Sequence, residues 1–393
     1  MMSTVMEMKQ IKNRQVFLEL VRLGMGHSLN PISAHVDWNV IEALAVQHWL
    51  YPIIVDGIDK LPIDQRPPKD VLLQWVGLAM QEENRYVVQR KTASDMAILF
   101  RRNYIRTYVL KGDVIAECYP KPRHRVSADM DCFLTVDSER FKVDNQFKSS
   151  RVQEVQDVDW SAWGLGNNLM KALGYEVCID FYKNSTFYLP NLMVENHKFI
   201  VPFRGNRRLE ELERFLQSRL KDDSLKFLDS SEDNSRKFEG TWLYRPPVMV
   251  SALFLIEHAY SHFLHEGLTW RHVLDWMMFS KKHKDEINWT EFESYIEKFG
   301  FRKFYDSYLR LGQYLLGETT EENLTKQDKM MLEDVWAPLD LHETTEGLRG
   351  KLALVGNTWR ARWKYHYFAD ISMLHALWIQ VKGFLLIKDP KLS

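Results

Sequence analysis

Apolar residues recur at helical spacing over most of the chain and at strand spacing over one short central stretch. Residues 16–23 put their apolar side chains on one face. So do residues 38–50 (WNVIEALAVQHWL), which follow Asp37, a residue suited to an N-cap. Residues 61–70 interrupt the pattern, because Pro67 and Pro68 do not let a helix run through. A long helical pattern then runs from Val71 towards Arg106.

The period changes at Tyr108. Residues 108–110, 132–136, 177–182 and 192–201 are apolar, β-branched or aromatic runs of strand length. Residues 160–173 read as helix between them, and Lys183, Asn184 and Ser185 read as a turn. From Asn206 the helical period returns over 209–220, 248–265, 268–283, 290–299, 301–316 and 361–386, with a polar connector over 222–239. The pattern predicts an α+β chain in which a small mixed β-sheet is flanked by N- and C-terminal helical regions. The divisions it suggests are a helical region at 1–95, an α/β core at 96–205, a helical domain at 206–320 and a helical extension at 321–393.

Composition narrows the setting. Of 393 residues, 45% are apolar and 27% charged, which is enough apolar surface for packed cores and argues against wholesale disorder. Lys and Arg number 52 against 53 Asp and Glu, a net charge of −1 that gives no global pull towards a long nucleic acid or an anionic membrane. Cys118, Cys132 and Cys178 form no CxxC pair and fit a reducing compartment. Residues 1–15 lack the apolar stretch of a signal peptide. Residues 373–387 (MLHALWIQVKGFLLI) fall short of the roughly 20 residues needed to span a bilayer, and read as a buried or dimer-forming helix. A cytoplasmic protein without membrane contact is expected, with a homodimer through that helix as one arrangement.

The chemistry concentrates in residues 108–136 (YVLKGDVIAECYPKPRHRVSADMDCFLTV). A strand, a turn at Lys111-Gly112 and a helix from Asp113 lead through a loop rich in proline and arginine to Asp129-Met130-Asp131 and an apolar strand. On an extended backbone Asp129 and Asp131, two residues apart, share a face. Adjacent carboxylates repel unless a proton or divalent cation stabilises them, and Mg²⁺ held by carboxylates plus substrate phosphates is a common solution. Residues 101–125 are also basic: Arg101, Arg102, Arg106, Lys111, Lys121, Arg123 and Arg125 stand against Asp113 and Glu117.

Gly112 after a strand, with an Asp-x-Asp pair on the next, resembles the nucleotidyltransferase fold of the DNA polymerase β superfamily. The longer stretch 110–134 is similar to the bacterial family of uncharacterised nucleotidyltransferases in its Lys-Gly, its Tyr-Pro…Arg linker and its Asp-x-Asp. Val194-Glu195-Asn196-His197 resembles that family's Glu-x-His strand, and residues 256–276 (IEHAYSHFLHEGLTWRHVLDW) resemble its helical segment. The resemblance covers residues 37–315, with its sharp motifs at 108–136 and 192–199.

It implies Mg²⁺ (or Mn²⁺) held by Asp129, Asp131 and Glu195, which are also the catalytic residues. Lys111, Gly112, Arg125 and His197 are implied at the nucleotide, with Arg123 as a further phosphate candidate. The reaction implied is transfer of a nucleoside monophosphate from an NTP to an unknown hydroxyl or phosphate acceptor, with release of pyrophosphate. Asp180 competes with Glu195 for the third ligand position, and Glu195 is preferred because His197 shares its face. The usual Gly-Ser is here Gly112-Asp113, so a phosphate-binding hydroxyl is replaced by an acid. That departure supports a second reading, an inactive nucleotide sensor or scaffold that keeps the fold. A nucleic-acid-binding module is a third and weaker one.

Other candidates read as structural. His258 and His262 lie one helical turn apart but lack the Glu of HExxH and an evident further ligand, so they are expected to pack or to face a partner. Asp275 is expected to pair with Arg271, its neighbour one turn back. Cys132 alternates away from Asp131 and reads as core. No GxSxG, P-loop or GxGxxG is present, which removes three common enzyme classes.

Overall fold

The computed structural model describes residues 2–27, 36–136, 161–179, 184–202, 206–226, 236–338, 356 and 359–378. The chain is α+β, with a six-stranded mixed sheet flanked on both chain sides by helices.

Four helices precede the sheet: α1 (Met2–Gly24), α2 (Trp38–Gln47), α3 (Tyr51–Asp59) and α4 (Lys69–Arg102). Asp37 takes the N-cap position of α2, though its side chain makes no capping bond. Two glycines let α1 and α3 touch. A Cβ on Gly57 would lie 2.1 Å from the Leu20 carbonyl, and one on Gly24 would lie 2.2 Å from the Ile53 carbonyl. Pro68 stands at the N-cap of α4, as its fixed φ allows. The helix ends short of Arg106 because Asn103 caps it and Tyr104 turns to φ +61°.

The sheet runs in the order β3-β4-β5-β2-β1-β6, with β1 (Ile105–Val109), β2 (Asp129–Val136), β3 (Val177–Ile179), β4 (Asn184–Leu189), β5 (Leu192–His197) and β6 (Leu243–Tyr244). Strand β2 is antiparallel to β1 and parallel to β5, so the middle of the sheet is mixed. Asn184 and Ser185, expected in a turn, are strand residues paired with His197 and Asn196. Phe187 and Leu189 bury their side chains on alternate positions and hold this run in the sheet as a strand of its own, which turns into β5 at Pro190-Asn191, where Asn191 adopts φ +62°; Lys183 lies outside the described residues. Helix α5 (Asp113–Ala116) follows β1, and α6 (Ala162–Ala172), capped by Ser161, packs on β2 and β5.

After the sheet come α7 (Arg207–Lys226), α8 (Val248–His265), α9 (Trp270–Lys282), α10 (Trp289–Lys298), α11 (Arg302–Leu315), α12 (Lys326–Trp336) and α13 (Arg362–Phe368). The C-terminal helices join the first ones. Trp336 of α12 meets Phe17, His48 and Trp270 with ring centroids 5.7, 5.4 and 5.2 Å apart. No helix among the described residues is long and apolar enough to cross a membrane. Of the apolar stretch 373–387, residues 373–378 are helical and the rest lies outside the described residues.

Candidate active site

Strand alternation puts Asp129 and Asp131 on one face of β2 and buries Met130 and Cys132 on the other. The parallel register then sets Glu195 directly beside Asp131, and Met193 beside Asp129. His197, two residues past Glu195, comes to the same face. Its Nε2 is 3.0 Å from Asp131 Oδ1 and 3.7 Å from Glu195 Oε2. The ligand atoms of Asp131, Glu195 and His197 all lie within 4.8 Å of one another. Asn184 donates to Glu195 Oε2 at 2.6 Å and so fixes that carboxylate.

One contact in this group defines its chemistry. His197 Nδ1 lies 3.2 Å from the Phe199 carbonyl and can only donate to it, so in the neutral ring Nε2 turns a lone pair towards the Asp131 carboxylate. Two acceptors 3.0 Å apart need a proton or a cation between them. Asp129 is half-buried at the strand start, and its carboxylate makes no hydrogen bond or ion pair among the described residues. It is not one of the three clustered groups. Asp180 lies outside the described residues.

Gly112 follows β1 with φ +64°, in the left-handed region where glycine carries no Cβ penalty. A Cβ there would lie 3.7 Å from Ser127 Oγ and 3.9 Å from the Asp129 carbonyl, so it is the backbone angle, not lack of space, that calls for glycine. Lys111 is buried, with Nζ 2.6 Å from His258 Nε2 and 4.0 Å from Asp131 Oδ2. Burial lowers its pKa, against the pull of Asp131. Asp113 leads α5, and its pKa is raised, chiefly by burial, with Arg90 opposing and Glu117 adding to the rise. The acid in the usual serine position therefore gives up its charge more readily than a solvated carboxylate.

A shallow, partly open cleft lies beside Gly112 and Asp129. Helix α4 lines it with Arg85, Tyr86 and Arg90, and the loop before β2 lines it with Arg123, Arg125 and Ser127. Asp131, Glu195 and His197 are not among its lining residues; the cleft stops at Asp129. Arg85 donates to the Ser127 carbonyl at 2.9 Å and Arg90 to Tyr86 Oη at 2.9 Å. Sequence reading missed Arg85, Tyr86 and Arg90, because nothing in a helical period tells which exposed positions later face a loop. Ser127 stands two residues before Asp129, and only the path of the loop brings it beside Gly112.

Arg125 is wholly buried. Its Nε and Nη2 hold both oxygens of Asp275 at 2.9 and 2.7 Å, and Tyr119 Oη donates to the same carboxylate at 2.7 Å. The pairing expected between Asp275 and Arg271 is therefore replaced. Arg271 Nη1 donates to the Val126 carbonyl at 2.7 Å instead, which frees Asp275 for the bidentate fit that a planar guanidinium makes best. Nη1 of Arg125 has no hydrogen-bond partner among the described residues. Cys132 is fully buried on the far face, and burial raises its thiol pKa, so it is core.

A left-handed glycine after β1, paired aspartates on β2 and a glutamate on the parallel neighbour give the sheet a nucleotidyltransferase-like plan. The family model described as "Uncharacterised nucleotidyltransferase" matches residues 34–148 and 166–317, more than half of the chain, and the chain belongs to that family. Neither a curated protein nor a solved structure matches it. Membership supports a general nucleotidyl-transfer role and implies an NTP as substrate.

Proposed function

We propose that the chain is a metal-dependent nucleotidyltransferase that moves a nucleoside monophosphate from an NTP to a hydroxyl or phosphate acceptor. The acceptor oxygen attacks the α-phosphorus, the bond from that phosphorus to the bridging oxygen breaks, and pyrophosphate leaves with the electron pair. The observation that carries this reading is the Asp131–Glu195–His197 cluster, set up by strand register on the same face as Asp129. Its donor set fits a divalent cation: carboxylate oxygens suit Mg²⁺, the imidazole suits Mn²⁺ as well, and the facing acceptors of Asp131 and His197 call for positive charge. Mg²⁺ or Mn²⁺ held by Asp129, Asp131 and Glu195 would supply charge neutralisation at the phosphates and a more acidic acceptor hydroxyl.

The chain's own groups have separate tasks in this reading. Gly112 lets the backbone come close to phosphate oxygens. Ser127 donates its hydroxyl to the Asp129 carbonyl at 3.1 Å and so ties the loop to the start of β2 beside Gly112. Lys111 and Arg125, whose buried Nη1 has no hydrogen-bond partner among the described residues, are the cationic donors on either side of the motif. Asn184 keeps Glu195 in position.

The test is calorimetric titration of ATP, GTP, CTP and UTP with Mg²⁺, followed by a pyrophosphate-release assay with mixed acceptors. Asp131→Asn and Glu195→Gln are expected to lower turnover by about 10²–10³-fold, the range seen when one electrostatic partner of a transition state is removed. Asp113 favours a second reading, a nucleotide sensor that has lost turnover. Tight binding without release in any acceptor mixture would select the sensor. Failure of the wild-type chain to bind any nucleotide would end both readings.

A further inference from the structure

Helix α7 carries an acid where its period calls for an apolar side chain. Leu212, Leu216 and Leu220 recur one turn apart and are wholly buried, and Glu213, next to Leu212 on that face, is only 3% exposed. A carboxylate taken out of water needs partners. Glu213 finds them in the bend that follows β5, at residues 198–201. Its Oε1 accepts from the Ile200 amide at 3.1 Å and its Oε2 from the Val201 amide at 2.9 Å. Gln217, one turn on, donates to Oε1 at 2.6 Å. Ile200 and Val201 are themselves wholly buried, so water cannot stand in for the carboxylate at those amides.

The Ile200 N–H and the Phe199 carbonyl belong to one peptide unit. That unit is planar and trans, so its N–H and its C=O point in opposite directions. On one side it donates to Glu213. On the other its oxygen lies 3.2 Å from His197 Nδ1. Holding the N–H therefore holds the aim of the oxygen. With that acceptor in place the neutral ring carries its proton on Nδ1, and the Nε2 lone pair faces Asp131 Oδ1 at 3.0 Å. If the peptide turned over, Nδ1 would lose the acceptor that selects this tautomer. The proton could then move to Nε2 and satisfy Asp131 directly, which would leave no lone pair on that side.

We propose that Glu213 is a positioning residue for the divalent-cation site: through the Phe199–Ile200 peptide it keeps His197 in the tautomer whose Nε2 lone pair faces Asp131 and Glu195.

The inference rests on the nucleotidyl-transfer reading for its purpose but not for its geometry. Glu213 stands behind the ring and meets the Ile200 and Val201 amides rather than the cluster, so its influence passes through a backbone unit, as a carbonyl or carboxylate behind a metal-binding imidazole fixes the ring's tautomer and orientation. A glutamate does this better than a glutamine here. Both of its oxygens accept, whereas an amide would turn an NH₂ group towards one of the two backbone N–H groups.

The test uses the full chain labelled with ¹⁵N-histidine, free of metal and held at about pH 8.5, two units above the ordinary imidazole value. Long-range ¹H–¹⁵N spectra report which nitrogen of His197 carries the proton, and the ring is assigned by its absence from His197→Asn. The wild type should show the proton on Nδ1. Glu213→Ala should shift the ring towards the other tautomer and weaken Mn²⁺ binding, read by the relaxation of water protons, within the about 10–100-fold range of outer-shell substitutions. Glu213→Gln, which keeps the volume and one accepting oxygen, should fall between the two in both readouts and decides the matter if Glu213→Ala does not fold. Leu216→Ala loosens the same helix without touching the bend and should move neither readout. A wild-type ring protonated on Nε2, a tautomer unchanged in Glu213→Gln and in folded Glu213→Ala, or an equal shift in Leu216→Ala would each overturn the proposal. A wild-type chain that binds no Mn²⁺ would instead sink the metal-dependent reading, while the tautomer, measured without metal, still decides whether Glu213 sets the ring.

Discussion

Replacing Asp275 by alanine should cost about 3–5 kcal/mol of stability, the usual penalty for stranding a buried charge. The structure explains why the value belongs in that range. Asp275 is 3% exposed and Arg125 2%, so water cannot take over from a lost partner. The carboxylate receives two hydrogen bonds from Arg125 and one from Tyr119, while the charge of Arg271 acts on it from the same helix. Alanine would leave the Arg125 guanidinium buried without its counter-ion. Asp275→Asn keeps the volume and loses the charge, and should cost about 1.5–3 kcal/mol, the worth of a hydrogen bond to a charged group. Arg125→Met combined with Asp275→Leu removes both charges and should recover most of the loss, because a well-packed apolar pair often matches a buried ion pair.

Burial by itself would raise the Asp275 carboxyl, but Arg125 overrides it and holds the pKa below the ordinary 3.8. The stabilisation is therefore fully present above the unfolded value and is lost as pH falls through the folded one. The penalty of Asp275→Asn should shrink correspondingly in acid. Urea unfolding followed by circular dichroism, with the double-mutant cycle, measures all of these. A cost under about 1 kcal/mol for Asp275→Ala would refute the reasoning, since only a solvated pair is so cheap to break.

Three further outcomes are expected. His124 lies 2.6 Å from Asp56 and 2.7 Å from Glu83; burial depresses its pKa, but the hydrogen bonds to the two acids outweigh that and raise it. Its contribution should be fully present below pH 6.5 and lost as pH rises through the folded value, and His124→Ala should flatten the dependence of melting temperature on pH over that window. Gly112→Ala should cost about 1–2 kcal/mol through its left-handed φ while leaving the fold intact by circular dichroism, because no neighbour lies closer than 3.7 Å to the added Cβ. NTP affinity should rise with Mg²⁺, and Mg²⁺ affinity should rise with NTP by the same factor, which paired calorimetric titrations will read directly.

Residues 248–265 could be read as helix to the residue, because an apolar run of 18 residues is too long for a strand. Strand β4 could not. Its Lys-Asn-Ser start looks like a turn until Phe187 and Leu189 are seen filling the core. The common face of Asp129 and Asp131 followed from the two-residue period alone. That Glu195 lies beside Asp131 depended on the register between strands more than 60 positions apart, which period does not encode; the family resemblance supplied that residue. Asp275 shows the same limit, since a partner 150 positions away displaced the one a helical turn back. Local spacing proposes contacts, and tertiary geometry chooses among them.

The basic run at 101–125 makes the point for charge. Along the chain its seven cations look like one phosphate-binding patch, yet in space they part. Arg101 lies over the Trp242 ring at 3.5 Å and Arg106 over the Tyr244 ring at 4.4 Å, both at the β6 edge of the sheet. Lys121 pairs with Asp56, and Lys111 turns to His258 and Asp131. Only Arg123 and Arg125 line the cleft, and Arg85 and Arg90 arrive there from α4. Glu82, Asp113 and Asp129 oppose them, so the cleft is close to balanced when all are ionised. One feature tips it towards positive: Asp113 has a raised pKa, chiefly through burial. A small excess of this kind suits a ligand that brings part of its own neutralising charge. A triphosphate bound together with a divalent cation meets that condition, and a bare polyanion does not.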